Sequence, residues 1–559
     1  MASESDHVAL ELSLNDNEMD SVNVPFNDKN YIFITDSTSN SGNFTSGQMQ
    51  FDLKNFSSQS QWVDLKQAYV EFPIKVYASV TSAGTGNAIA TNLLTTIKNG
   101  FHHFISGAQL ILNGQTIQSL QPYENVATSQ RIYSKWSKDT LTKYGKSCGL
   151  ALDDMTADSV ATLAGNNSLN NCAYATVANS VIGFDCVANN AVLHNDGVAS
   201  RITLTNPDIT TSTTLRNNIL SASSIKTAGL ANTGVVAAGA TTGVIYSQCV
   251  MGTVRLCDIF DINELPMVKN LNGFLTLNLN TSTTALTGAG AGSTLANTTA
   301  VSYNITAGQT NPILINRSAL TYSSSGSATI TITAQVNGST DNLVGNAGPL
   351  LTAARMIVPA YQANPKTDMA LSNSSKMFAT LEKIVNPFTV ASGSSITYNV
   401  TSGVPNAKSL VLLPMLQNLG ATANLTNPEI SAFDCVPGTS GPFSVIDQLQ
   451  VYLGNKPVYQ YPISYSFEQW VSENSKTGAF GGMIDEQASG LLTQQLYEQN
   501  HSFVYVDLSR RADSENGASK AIQVSLKNNT QFGMKIIAIV FYEKQWVINT
   551  NSCMLQNIK

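Results

Sequence analysis

Apolar and polar positions alternate with a period of two in many short runs of this chain. Leu275, Leu277 and Leu279 share one face while Thr276, Asn278 and Asn280 share the other. The same pattern recurs at Ile330, Ile332, Ala334 and Val336 against Thr331, Thr333 and Gln335, and at Ile522, Val524 and Leu526 against Gln523, Ser525 and Lys527. Val504, Val506 and Leu508 alternate with Phe503, Tyr505 and Asp507. Side chains in a strand point to opposite faces in turn, so each run predicts a β-strand, half-buried in the case of Leu275 to Leu279. Turn residues separate the runs, and no alternation of strands with long helical patterns appears. That favours a sandwich or jelly roll over βαβ units.

One unit occurs twice. "QLILNGQTIQ" (Gln109 to Gln118) and "QVYLGNKPVY" (Gln450 to Tyr459) each read as an apolar strand, a two-residue turn of Asn and Gly, and a strand leading away. Asn113-Gly114 suits a type I′ turn, and Gly454-Asn455 reads as type II′. A short helix is expected after each hairpin, in "PYENVATSQRI" from Pro122 and in "SFEQWVSE" from Ser466. In the second, Phe467, Trp470 and Val471 fall on one face, and Ser466 and Gln469 have capping-box spacing.

The 559 residues exceed one ordinary core and predict at least two domains. Charged residues are only 12%, about half the usual share, and Ser, Thr, Asn, Gln and Gly replace them. Between the strand-rich stretches lie two excursions, at about 148 to 247 and 281 to 327. "RMIVPAYQANP" reads as the closing strand of the first series and a linker, and a second series begins near residue 371.

The net charge of −7 disfavours a dedicated polyanion binder, and residues 1 to 20 carry Glu4, Asp6, Glu11, Asp16, Glu18 and Asp20 with no Lys or Arg. The seven cysteines, Cys148, Cys172, Cys186, Cys249, Cys257, Cys435 and Cys553, are irregularly spaced and contain no C-x-x-C pair. Mostly free thiols in an intracellular protein are the better reading. No signal-peptide pattern opens the chain, and its longest apolar run, Ile536 to Tyr542, has strand length.

Candidate chemistry is sparse. Phosphate-loop, zincin and nucleophile-elbow motifs are missing, and "GAGAGS" from Gly288 is low complexity. Of the histidines His7, His102, His103, His194 and His501, the adjacent pair His102 and His103 would point to opposite faces of a strand, so surface or loop positions are expected rather than a metal site. Asp258, Asp261 and Glu264 lack the glycine of a calcium loop and read as a solvated or interface acidic turn. Ser509-Arg510-Arg511 is the densest basic spot, suited to a neighbouring subunit's carboxylates or to a local salt bridge. No catalytic, cofactor-binding or metal-ligating residue is assigned, no cofactor is expected, and the chain is not read as an enzyme.

The ordered segments "FDLKNFSSQSQWVDLKQAYVEFPIKV", "IKNGFHHFISGAQLILNG", "VRLCDIFDINELPMVKNL", "MIVPAYQANP", "GVPNAKSLVLLP", "IDQLQVYLGNKPV", "SYSFEQWVSE" and "FVYVDLSRRADSE" together resemble the major capsid proteins of polinton-like viruses and virophages, between about 50 and 545. The resemblance implies a double jelly roll: an acidic N-terminal arm (1–25), jelly roll 1 (26–370) with the two long inserted loops, and jelly roll 2 (371–559). It also implies a pseudo-hexagonal homotrimer, or capsomer, tiling an icosahedral shell around a double-stranded DNA genome. Its implied partners are neighbouring capsomers, penton and minor or cement proteins, with a packaging ATPase, no sequence-specific nucleic acid binding and no membrane span. The implied location is the virion, assembled inside the host cell. The alternatives are a multi-domain β-sandwich adhesin or carbohydrate-binding protein, expected to carry a secretion signal and serial domains, and a polysaccharide-cleaving enzyme, for which no carboxylate motif stands out.

Overall fold

The structure, a computed structural model, describes residues 25–38, 44, 46–56, 61–82, 87–91, 94–152, 233–236, 242–289, 298–304, 312–316, 320–322, 327–338, 353–372, 375–417, 429–431, 446–475, 490–509, 518–530 and 533–558. Eight strands build the first sandwich: β1 (Phe26–Thr35), β2 (Gln48–Asp52), β3 (Tyr69–Ser82), β4 (Ile105–Leu112), β5 (Gln115–Gln118), β6 (Thr242–Arg255), β7 (Gly273–Leu279) and β8 (Arg355–Ala363). They pair antiparallel as one sheet running β1-β8-β3-β6 and a second running β2-β7-β4-β5.

The second sandwich repeats this plan. Its strands are β9 (Ser375–Val390), β10 (Ser395–Val404), β11 (Ala407–Gln417), β12 (Ile446–Leu453), β13 (Lys456–Pro457), β14 (Val504–Asp507), β15 (Lys520–Asn528) and β16 (Met534–Asn549). They pair as β9-β16-β11-β14 and β10-β15-β12-β13. Every strand number is that of the first sandwich plus eight. Two sheets of four with this interleaved order are a jelly roll, so the chain is a double jelly roll.

Each sandwich has its own core. Met49, Phe51, Phe72, Leu110 and Leu277 meet between the sheets of the first, and Leu410, Leu449, Val451, Val524 and Ile536 between those of the second. The alternating runs Leu275–Leu279 and Ile522–Leu526 are β7 and β15, with their apolar faces inward, as the period of two requires.

The repeated hairpins join β4 to β5 and β12 to β13, the same strand pair in each sandwich. Their turns are also the same. Asn113 and Gly114 have φ of 46° and 78°, and Gly454 and Asn455 have φ of 55° and 66°. Two consecutive positive φ values define type I′, so the type II′ reading of Gly454-Asn455 is corrected. Asn tolerates the left-handed region, so either order of Asn and Gly makes this turn.

A helix follows each hairpin: α1 (Glu124–Lys135) in the first sandwich and α3 (Phe467–Ser475) in the second. The Ser466 hydroxyl accepts the Gln469 amide at 3.4 Å and caps α3. Between the sandwiches lies α2 (Pro365–Ser372), whose Asp368 accepts the Trp62 indole N–H at 2.8 Å and pairs with Lys269.

The loop expected at about 281 to 327 contains strands. Ser282–Ala289 pairs antiparallel with Thr298–Asn304 on one side and with Ser327–Val336 on the other, and the last of these pairs with the far half of β3. The earlier excursion lies mostly outside the described residues, apart from its first residues, a strand at Thr233–Val236 and the start of β6.

Candidate assembly surfaces

Helix α1 leaves the first sandwich and lies on the outer face of the second. Its Tyr123, Val126, Ile132 and Tyr133 join Leu381 and Val385 of β9, Val411 and Leu413 of β11, and Ile537, Ile539 and Phe541 of β16 in a third apolar cluster. Sheet β9-β16-β11-β14 is thus buried on both faces. That explains why Ile536 to Phe541 reads as an unbroken apolar run rather than an alternating one.

Charge crosses this contact in a buried network. Glu124 of α1 pairs with Lys383 of β9, and Arg131 lies 3.8 Å from the same carboxylate. Gln118 donates to it at 3.1 Å and Thr128 at 3.4 Å. Burial pushes the Lys383 ammonium down to about 8, which the nearby Glu124 partly opposes. One strand position earlier, Glu382 accepts the Ser119 amide at 3.0 Å and the Tyr542 hydroxyl at 2.6 Å, and pairs with Lys544. Burial alone would raise its carboxyl, but the hydrogen bonds from Lys544, Ser119 and Tyr542 hold it below the usual range.

The acidic segment Asp258, Asp261, Glu264 belongs to the same contact. Asp258 accepts Arg255 at 2.8 and 2.9 Å and the Trp136 indole at 2.9 Å. Asp261 accepts the Leu381 amide at 3.1 Å and pairs with Lys135 at 3.0 Å, while Glu264 accepts the Ala379 amide at 2.9 Å. β9 is an edge strand whose outward N–H groups need acceptors, and these carboxylates supply two. The turn is an interface within the chain.

The histidine pair departs from expectation. His102 and His103 lie in a 3-10 turn, Phe101–Phe104, instead of a strand, so their rings fall together at 4.5 Å. Both are buried, contrary to a surface or loop position. His102 Nε2 meets the Ser129 hydroxyl of α1 at 2.7 Å, and burial pushes its imidazole down to about 3. His103 meets Asn125 of α1 at 3.3 Å, and His501 is buried against Tyr133 at 4.5 Å. These histidines seat α1. His7, His194, Arg510 and Arg511 lie outside the described residues.

Cys148, Cys257 and Cys553 are free thiols, and burial pushes each up to about 12. Cys249 lies on β6; Cys172, Cys186 and Cys435 fall outside the described residues. Among the described residues no three His, Cys, Asp or Glu side chains group as a metal site, and no helix is long and apolar enough to cross a membrane.

The corresponding sheet of the first sandwich, β1-β8-β3-β6, carries a different outer face. Tyr31 is 51% exposed and Phe33 58%, with Arg355 stacked on Phe33 at 5.2 Å and bound to Glu71 at 2.8 Å. Lys29 lies over the rings of Tyr31 and Tyr361 at 5.3 and 5.4 Å. A groove of about 600 Å³ crosses this face from Lys29 past Tyr69 to Arg255. Tyr, Phe and Arg are enriched at protein interfaces, and this face carries all three.

Sequence reasoning missed Glu124, Lys383, Glu382 and Lys29. One signal was available: Tyr123-Glu124-Asn125-Val126 and Phe467-Glu468-Gln469-Trp470 have the same chemistry at the same place after the hairpin.

No protein-family model matches the chain, and no curated protein sequence matches it. Solved structures do. A chain in the cryo-EM structure of the Sputnik virophage is 12% identical, with 98% of this chain and 92% of that one covered and a TM-score of 0.46. The mavirus major capsid protein is 10% identical over 94% and 89%, with a TM-score of 0.42. The Faustovirus major capsid protein is 10% identical over 93% and 90%, with a TM-score of 0.41.

Proposed function

We propose that this chain is a viral major capsid protein that assembles as a homotrimer and tiles an icosahedral shell around a double-stranded DNA genome. The observation that carries the reading is a contact made once and available twice. Within the chain, the helix after the first hairpin covers the outer sheet of the second sandwich. Its counterparts, α3 and the outer face of β1-β8-β3-β6, remain open to solvent in part. Repeating the contact between copies joins the second sandwich of one chain to the first of the next. Such a head-to-tail contact is heterologous and makes a ring where its rotation closes; in the trimer proposed here that ring holds six sandwiches from three chains.

Other features support the same reading. Sparse charge suits broad contacts whose centres exclude it. The resemblance noted in the sequence extends over most of the chain. We take residues 26–370 and 371–559 as the two jelly-roll domains and 1–25 as an arm that does not neutralise nucleic acid. The partners are neighbouring capsomers, penton and minor capsid proteins, and the place of action is the virion.

Mass photometry and negative-stain microscopy of the purified chain test this. Trimers of pseudo-hexagonal outline, or shells made of them, are expected. A stable monomer at high concentration that binds glycans would overturn the reading in favour of a carbohydrate-binding sandwich.

A further inference from the structure

The contact inside the chain has a recognisable chemical centre. An acidic residue at the start of the helix, Glu124, meets a lysine on the first strand of the covered sheet, Lys383. That lysine lies directly across the ladder from an aromatic residue of the last strand, Phe541.

Every part of this centre has a copy elsewhere. At the start of α3, Phe467-Glu468-Gln469 repeats Tyr123-Glu124-Asn125. On β1, Lys29 lies directly across from Tyr361 of β8, as Lys383 does from Phe541. Lys29, Tyr31 and Phe33 point outward, opposite to Ile32 and Ile34, as Leu381, Lys383 and Val385 do on β9.

The copies are not joined within the chain. Glu468 and Lys29 are both exposed, and among the described residues neither has an oppositely charged partner within 4.0 Å. Lys29 instead rests against Gln67 at 3.5 Å and the two tyrosine rings, at one end of the groove of about 600 Å³. Besides the paired residues Arg255 with Asp258 and Glu71 with Arg355, the groove is lined by Lys29 and Lys66, which leaves it net positive. The exposed side of α3 offers Glu468 and no cation.

We propose that Glu468 of one copy forms an ion pair with Lys29 of the next, seating the start of α3 in this groove as Glu124 and Lys383 seat α1. The proposal names the recognition centre of the trimer and rests on the assembly reading above. A polar, exposed version of the contact fits its role, because each copy must remain soluble before it meets its neighbour.

Charge exchange in the full chain tests it. Lys29→Glu and Glu468→Lys, each alone, are expected to raise the concentration at which trimers dissociate by about a hundredfold. Lys29→Glu with Glu468→Lys together is expected to recover most of the loss. Thermal melting of the monomers checks that each variant folds as the parent does. If both single variants form trimers like the parent, or the double variant is no better than the singles, the pairing is wrong while trimeric assembly stands. If the parent chain forms no trimer, the assembly reading falls and the pairing with it.

Discussion

Sheets β1-β8-β3-β6 and β9-β16-β11-β14 have one strand order and contrasting outer faces. The second presents Val411, Leu413, Ile537, Ile539 and Phe541, all fully buried under α1 and the chain around Trp470 and Tyr497. The first presents Tyr31, Phe33, Lys29, Glu71 and Arg355. A face covered by its own chain never meets water once folded, so it can be aliphatic. The uncovered face meets water in the single chain, and it carries aromatic rings and charged groups instead. On the assembly proposed above, the difference would separate an interface made during folding from one made after it.

Substitutions at matched positions can break this comparison. Glu124→Ala leaves Lys383 and Arg131 without their carboxylate in a site closed to water, and should destabilise the chain by about 3–5 kcal/mol in denaturant titration. Its counterpart Glu468→Ala loses only hydrogen bonds at the helix start, to Ser466 and the backbone, and should cost the monomer less than about 1 kcal/mol. Equal losses at both positions would mean that the second site is already closed within one chain.

Phe541→Ala should cost about 3–5 kcal/mol, because it opens a cavity beneath α1. Tyr361→Ala, across from Lys29, should cost the monomer less than about 1 kcal/mol. Chemical denaturation of both variants reads the contrast directly.

The covered site also has a pH signature. His102 has its folded-state value lowered from the ordinary 6.5 to about 3, so the unfolded chain binds a proton that the folded chain refuses. Its contribution to stability is full above 6.5 and is lost as pH falls toward 3. Melting temperature against pH should therefore fall less steeply over that window in His102→Asn than in the parent. The smallest effect is expected at the arm: deleting residues 1 to 20 should leave the trimer intact on sizing while impairing shell formation.

The duplication is legible in the sequence, since "LNGQ" and "LGNK" each demand a tight turn between two strands. The helices after them were legible too, from Ser466 and Gln469 and from the spacing of Phe467, Trp470 and Val471. What the helices touch was not. Glu124 and Lys383 are far apart in sequence, and nothing local distinguishes Glu124 from Glu468, although one is buried and the other exposed. The adjacent histidines misled for a related reason. A strand would have separated their rings, and a single 3-10 turn brought them together.

By itself, then, the sequence determined the class of fold, the two tandem units, the equivalent hairpins and the acidic character of residues 1 to 20. All of these follow from local periodicity, turn stereochemistry and composition, which act between near neighbours. Only the tertiary structure decided which of two like sheets is covered within the chain and which is left exposed. That choice depends on where one sandwich sits against the other, and so on contacts between residues hundreds of positions apart, which no local pattern records.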